Sequence, residues 1–304
     1  MPASTTLKVR IGFGLGTSTS LNDERFGHVV DELERLKFDS LWVSERIRTA
    51  APDPLVAMAF AAGRTTKLKF GMSVMVLPGR NPVVLAKALA SLATLSGGRL
   101  LPAFGLGAVD PHEQQAFGVE RGERAAWFDE SFAVMRKCWT GEPFDHQGER
   151  YHYEGLRVLP APRRVDVWLG GIARSELRRV GRLADGWLPS FVTPADVAAG
   201  RATIEAVAAE HGRSIDDDHY GVLIPYHFGG DSSGFIERIA NRRPDIDPAD
   251  VVATSWHQLR ELIGRFIEVG ASKFVVIPAG EPNTTGEWTD HLETLAAEIL
   301  PLET

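Results

Sequence analysis

Two rhythms of hydrophobic residues alternate along this chain. Short runs rich in β-branched and aromatic residues are followed by stretches in which apolar side chains recur at every third or fourth position. The first run, residues 7–15, predicts a strand, and 22–36 predicts a helix with Phe26, Val29, Val30, Leu33 and Leu36 on one face. A strand at 40–44, an alanine-rich helix at 54–63 and a strand at 68–76 follow. Asn81-Pro82 then opens a helix, a capping side chain before a proline at the first helical position, and Ser96-Gly97-Gly98 ends it. The pattern continues with a strand at 100–106, a helix at 123–139, a polar hairpin at 144–153 and a strand at 167–170. Beyond these it predicts a helix at 174–183, a very short strand at 186–189 and a helix from Thr193-Pro194 to about 211. Residues 220–228 read as strand, 229–250 as irregular, 255–269 as helix, 273–277 as strand and 289–300 as a closing helix. Strict β/α alternation implies a parallel sheet, closed or doubly wound, and eight units in a chain of this length predict closure. No glycine-, serine- or proline-rich linker divides the chain, so one (β/α)8 TIM barrel with an inserted hairpin is expected over 1–304. In such a barrel, function belongs to the C-terminal ends of the strands and the loops after them.

Composition narrows the function. With 304 residues, 44% hydrophobic and 24% charged, the chain reads as a soluble globular protein with material for a large core. A net charge of −7 with scattered acids offers no basic nucleic-acid footprint. No window approaches a membrane span, residues 1–8 lack a signal-peptide core, and the cytosol is the expected compartment. The single cysteine, Cys138, excludes a disulfide framework and a thiolate-rich metal site, and its apolar helical surroundings predict a buried thiol. The nine histidines form no metal-ligand pattern, and there is no G-x-S-x-G elbow, so no metal site is expected.

The strand ends carry the candidate chemistry. Gly12-Phe13-Gly14-Leu15-Gly16 and Gly105-Leu106-Gly107 are not the dinucleotide fingerprint, because no third glycine opens a helix at the required spacing. Each is either a tight turn or a place where backbone approaches a flat ring. At Trp168-Leu169-Gly170-Gly171-Ile172-Ala173-Arg174 a strand ends in two glycines and a helix begins at once. That is either a plain left-handed turn or an anion site of free amides at a helix N-terminus, suited to phosphate. Met72-Ser73-Val74-Met75 ends the third strand, as barrel lining or as a soft apolar contact for a large ligand. Ser44-Glu45-Arg46 ends the second strand, with Glu45 and Arg46 either catalytic by position or a surface ion pair.

Taken in order, these stretches resemble the luciferase-like monooxygenase superfamily, which includes the enzymes dependent on the deazaflavin coenzyme F420. The most specific are Phe38-Asp39-Ser40-Leu41-Trp42-Val43-Ser44, and Pro82 through Ser96-Gly97-Gly98-Arg99 to Phe104-Gly105-Leu106-Gly107. The hairpin before Pro160-Ala161-Pro162, and Val167-Trp168-Leu169-Gly170-Gly171 with Ala184-Asp185-Gly186-Trp187, also match. The resemblance implies a barrel, usually homodimeric, with a tricyclic ring over its mouth. It implies a cis peptide at Ser73-Val74 behind the ring, Gly107 and Ala108 approaching the ring, and phosphate on Gly170, Gly171, Ile172 and Ala173. Ser44, Met72 and Trp187, in or beside the matching stretches, complete the expected cofactor contacts.

The departures from the family matter. Relatives that oxidise sugar phosphates or alcohols carry an Asp-His pair where this chain has Glu45-Arg46, and often a glutamate where it has Ala108. Histidine accepts a proton near neutral pH and arginine does not, so alcohol oxidation is disfavoured here. The expectation is hydride transfer from reduced F420 to a small organic acceptor, with Arg46 holding an anionic substrate or the cofactor tail. An FMN-dependent monooxygenase and a non-enzymatic deazaflavin carrier are the alternatives.

Overall fold

The computed structural model describes residues 7–17, 19, 22–107, 110–228 and 232–304. The chain opens with β1 (Arg10–Gly14), α1 (Asp23–Leu36), β2 (Ser40–Val43), α2 (Pro54–Arg64), β3 (Lys69–Val76), α3 (Pro82–Leu95) and β4 (Leu100–Gly105). Then come α4 (Pro111–Phe117), α5 (Arg124–Cys138) and an antiparallel hairpin of β5 (Phe144–Gln147) and β6 (His152–Leu156). The second half carries β7 (Trp168–Leu169), α6 (Arg174–Leu183), β8 (Gly186–Trp187), α7 (Pro194–Glu210), β9 (Gly221–Tyr226) and α8 (Ser233–Arg242). It ends with α9 (Trp256–Glu268), β10 (Lys273–Pro278) and α10 (Thr285–Ile299). Eight strands pair in parallel in the order β8-β7-β4-β3-β2-β1-β10-β9. Isolated bridges Trp187–Tyr220 and Ser190–Leu223, with the Leu223 amide donating to Pro189 O at 2.9 Å, join the two ends of this sheet. The result is the expected (β/α)8 barrel, nearly closed.

Helix starts follow the capping residues. Asn81 accepts hydrogen bonds from the Val83 and Val84 amides, Asp53 from Leu55 and Val56, and a proline begins each of those helices. Two helices depart from expectation. Part of the stretch read as irregular, 229–250, folds into α8, and α4 stands where no element was expected. The buried residue of α4 is Glu113, so that helix presents no apolar stripe, whereas α8 carries Phe235, Ile236 and Ile239 at helical spacing, a signal the sequence reading passed over. The α8 helix rests on a small separate cluster of Ile239, Val251 and Val252, flanked by Phe191, Phe235 and Ile246.

Strand side chains divide cleanly between two layers. Leu41, Val43, Phe104, Leu169, Phe274 and Val276 face outward and join the helices in the main core. Trp42, Ala103, Trp168, Leu188, Leu223 and Val275 face inward and fill the barrel. The two indoles fit because glycines stand opposite them. A Cβ on Gly71 would lie 2.8 Å from the Trp42 ring, and one on Gly186 would lie 2.6 Å from the Trp168 ring. This pairing of large with small residues makes the barrel a packed core with a floor beneath its mouth.

The N-terminal ends of the strands are closed by charge. Asp39 precedes β2, and its carboxylate receives the ammonium of Lys273 and, at 2.8 Å, that of Lys69. Burial alone would raise the Asp39 carboxyl, but the two lysines outweigh it and hold the group below the usual carboxylate range. Cys138 is buried as expected, and burial pushes its thiol up to about 11. Among the described residues no helix is long and apolar enough to cross a membrane.

Under α10 the buried Tyr226 hydroxyl lies 2.6 Å from Nε2 of His291, within an aromatic group that includes Phe228 and Trp256. Burial pulls the His291 imidazole down to about 4, so the folded chain holds it neutral, with Nε2 free to accept from the tyrosine. An unfolded histidine takes its proton near 6.5. The unfolded state therefore binds more protons between those values, and the stabilisation from the neutral imidazole is lost as pH falls from about 6.5 towards 4. His291→Gln should flatten the acid side of the stability–pH curve, removing a slope of at most about 1.4 kcal/mol per pH unit. Melting temperatures of both proteins across pH 4–7 test this, and parallel curves would exclude it.

Candidate active site

The mouth of the barrel lies at the C-terminal strand ends, and one contiguous arc of it runs over β3, β4 and β7. Between Met72 and Met75 the β3–β4 register shifts, so Ser73 and Val74 together oppose Ala103 in a bulge. The Ser73-Val74 peptide is cis, as the resemblance implied. Both residues are half-buried and reach the mouth. A Cβ on Gly105 would lie 2.6 Å from the Val74 side chain, and one on Gly170 would lie 3.9 Å from it. Gly107 follows at φ +91°, next to Val76. Val74, Gly105 and Gly170 are thus brought together as a shallow wall, with Ser73 in the same bulge and Gly107 beside Val76 at its edge. Ala108 lies outside the described residues.

The arc ends at the start of α6. Gly171 sits at φ +91°, a conformation that favours glycine, and a Cβ there would lie 2.5 Å from the Glu176 carboxyl carbon. The Ile172 and Ala173 amides point away from the helix, as the sequence suggests, but they already hold an anion. The Glu176 carboxylate accepts from Ile172 N at 3.0 Å and from Ala173 N at 2.9 Å. This side chain caps its own helix and occupies the amides that a ligand anion at this helix start would need. Sequence reasoning missed Glu176, although a glutamate three residues after the cap position is a legible signal.

Three expected contacts face elsewhere. Met72 is fully buried in the helix-facing core, because strand alternation turns it outward. Trp187 likewise turns outward, packing on Gly200 of α7, and its Nε1 donates to Gly171 O at 2.9 Å. It braces the glycine loop from behind. The Ser44 hydroxyl lies 3.3 Å from Leu15 O and 3.2 Å from Ser73 O, tying the ends of the first three strands together.

Glu45 and Arg46 part company. The Glu45 side chain is 3% exposed; one oxygen receives the Val76 amide at 2.7 Å and the other the Arg80 guanidinium. Burial raises its carboxyl despite those two partners. Neither a surface pair with Arg46 nor an open catalytic carboxylate describes Glu45: it locks the end of β2 to the end of β3. Arg80 is occupied in the same lock, which removes it from the mouth's free cations. Arg46 is half-buried and remains at the mouth.

His227 is a mouth residue that the histidine inventory passed over. Leu223 lies in the barrel interior while Val222, Ile224 and Tyr226 lie in the outer core, so His227 shares the inner face of its strand. Its ring stacks on Phe235 of α8, 5.7 Å between centroids, and its buried Nδ1 has no hydrogen-bond partner among the described residues. By contrast, a clustering of metal-ligand side chains at Asp216, Asp218 and His219 lies at the opposite end of the barrel, before β9.

A parallel barrel with such a mouth defines a class of α/β-barrel enzyme that works above its strand ends. The chain belongs to the luciferase-like monooxygenase family, whose model matches residues 4–263. It is 32% identical over 154 residues to an F420-dependent glucose-6-phosphate dehydrogenase of Gordonia bronchialis, covering 48% of this chain and 45% of that one. Its fold matches an F420-dependent secondary alcohol dehydrogenase in complex with an F420-acetone adduct. That match has a TM-score of 0.80 and 18% identity over 96% of this chain and 99% of the other. It also matches the oxygenating constituent of 3,6-diketocamphane monooxygenase of Pseudomonas putida in complex with FMN. There the TM-score is 0.76 at 18% identity, over 98% of this chain and 99% of the other.

The occupied amides at α6 yield a test. Glu176→Gln keeps a capping side chain and removes its charge, so inorganic phosphate should bind about fivefold more tightly, the effect of roughly 1 kcal/mol at a helix N-terminus. Calorimetric titration of both proteins measures it. Equal affinity in the two would mean that these amides are no anion site.

Proposed function

We propose that this chain is a coenzyme F420-dependent oxidoreductase that passes hydride from the reduced deazaflavin to the carbonyl carbon of a small organic acceptor. The observation that carries this reading is the continuity of the arc from the Ser73-Val74 bulge through Gly107 and Gly170 to the anion-holding amides of Ile172 and Ala173. A flat ring system with a phosphate at one end matches that sequence of surfaces, and the amides now capped by Glu176 would receive the phosphate. The residues present therefore fit the cofactor, provided Glu176 turns aside. When bound and reduced, the deazaflavin would supply a hydride while reacting little with oxygen.

The chain's own residues do the rest. Ser73 and Val74 back the ring, Trp42 and Trp168 seal the barrel beneath it against water, and Trp187 holds the glycine loop in shape. Glu45 is a positioning residue, fixing the strand ends through Val76 and Arg80. His227, on the inner face of its strand beyond β9, is the side chain assigned to deliver the proton that an acceptor oxygen takes as its carbon gains hydride. Because Arg46 replaces a possible base, the reading favours reduction over alcohol oxidation. The relative named for F420 supports this cofactor; the FMN-bound neighbour supports the alternative of an FMN-dependent monooxygenase.

Cofactor choice is the first test. Quenching of the buried Trp42 and Trp168 should report F420 binding at least about tenfold tighter than FMN, a difference of roughly 1.4 kcal/mol. FMN binding as tightly, with oxygen consumed by the reduced complex, would establish the monooxygenase reading instead. The second test concerns His227. His227→Gln should leave F420 affinity intact and slow the oxidation of reduced F420 by small ketones about 100-fold, the lower end of general acid–base contributions. An unchanged rate would remove His227 from the mechanism, and no turnover by any carbonyl in either protein would favour a deazaflavin carrier.

A further inference from the structure

Helices α6 and α7 press together at one point and leave a groove beside it. A Cβ on Gly181 would lie 2.7 Å from Ile204 O and 2.8 Å from the Val207 Cβ, so glycine alone permits the contact. From there towards the start of α6 a surface groove of about 540 Å³ opens between the two helices. Buried Val207 and half-buried Leu177 lie at its base, and the small Ala202 and Ala206 keep its α7 wall low.

The α6 side of the groove is cationic. Arg174 and Arg178 both line it, one helical turn apart and therefore on the same face. Across the groove Arg178 Nη2 lies 3.6 Å from Glu210 Oε2, longer than the roughly 2.7–2.9 Å of a charge-assisted hydrogen bond. Both side chains of this pair are about half exposed, and such loose surface pairs stabilise little. The neighbouring carboxylate on α6, Glu176, is turned to the Ile172 and Ala173 amides. The groove also adjoins those amides. Ile172 and Arg174, on either side of Ala173, are both part of its lining. A phosphate seated on the Ala173 amide would have this groove as the next surface for whatever is attached to it.

We propose that the groove between α6 and α7 receives the acidic tail of the cofactor, with Arg174 and Arg178 pairing its carboxylates and Leu177 and Val207 beneath its methylene groups. The assignment rests on the proposed F420 reading and extends it from the ring and phosphate to the chain beyond. Past its phosphate, coenzyme F420 continues through a lactyl group into γ-linked glutamates, in which carboxylates alternate with methylenes. A groove with a guanidinium edge and an apolar base matches both features, and each planar guanidinium can hold a carboxylate through two donors. Arg46, the other candidate for the tail, follows β2, which lies three strands from β7 and the α6 start in the sheet order.

The test compares two ligands on the full chain: F420 with its glutamates, and the same molecule truncated after the lactyl group. Quenching of tryptophan fluorescence at low ionic strength gives both affinities. The parent chain should bind the full cofactor about fivefold more tightly, the reach of two exposed ion pairs, and molar salt should erase the difference. Arg174→Gln and Arg178→Gln should each reduce this preference about twofold. Ala206→Phe, which fills the groove without changing charge, should abolish it while the affinity for the truncated form stays within about twofold. Arg164→Gln removes an equal charge from the loop before β7, where the side chain is 64% exposed, and should change neither affinity. Equal affinity of the parent chain for the two ligands overturns the proposal and leaves the cofactor reading intact, as does a preference that survives all three groove substitutions. Loss of the preference in Arg46→Gln, with the groove variants unchanged, routes the tail across the mouth and also overturns it. If neither ligand binds, the cofactor reading falls and the groove assignment with it.

Discussion

The interior of the barrel admits two indole rings only because glycines face them, and the working end of the protein is built on that fit. Trp42 and Trp168 are fully or almost fully buried and occupy the space that Gly71 and Gly186 leave open. A barrel of this size is a filled core, so each inward position below the mouth is sterically assigned. Above that floor the chain is free to differ. The bulge at Ser73-Val74, the glycine loop braced by Trp187 and the inward His227 all stand on it. Because outward-facing residues alternate strictly with inward ones, the same strands carry the helix layer without disturbing the mouth.

Electrostatics divides the mouth. Its carboxylates serve as internal caps and locks: Glu45 holds the Val76 amide and Arg80, Glu113 accepts from the Ile47 and Arg48 amides, and Glu176 from those of Ile172 and Ala173. Carboxylates engaged in this way do not act as open bases. Among the described residues at the mouth, the imidazole of His227 and the guanidinium of Arg46 carry none of these locks. The total charge of −7 does not by itself decide what the mouth attracts, because local geometry sets the field in a cleft. With Glu45 buried and locked to Val76 and Arg80, the end of the second strand presents Arg46 and no open carboxylate.

The sequence by itself determined the barrel, because eight repeats of strand and amphipathic helix leave few ways to bury both apolar patterns. It also determined the buried thiol of Cys138, and, through the family resemblance, the cis peptide at Ser73-Val74. The amides at the start of α6 were legible because they follow from local structure alone, whereas their occupation by Glu176 was not read from the sequence. Tertiary structure decided everything that depended on which way a side chain turned or on what came to meet it. Met72 and Trp187 fell among the expected cofactor contacts by their place in the sequence, yet strand parity turned both towards the helices. Glu45 and Arg46, neighbours in sequence, were separated by Arg80, which reached back thirty-five positions to take the carboxylate. Local periodicity records what one element needs to bury; only the closed barrel brings the ends of β2, β8 and β9 around a single opening.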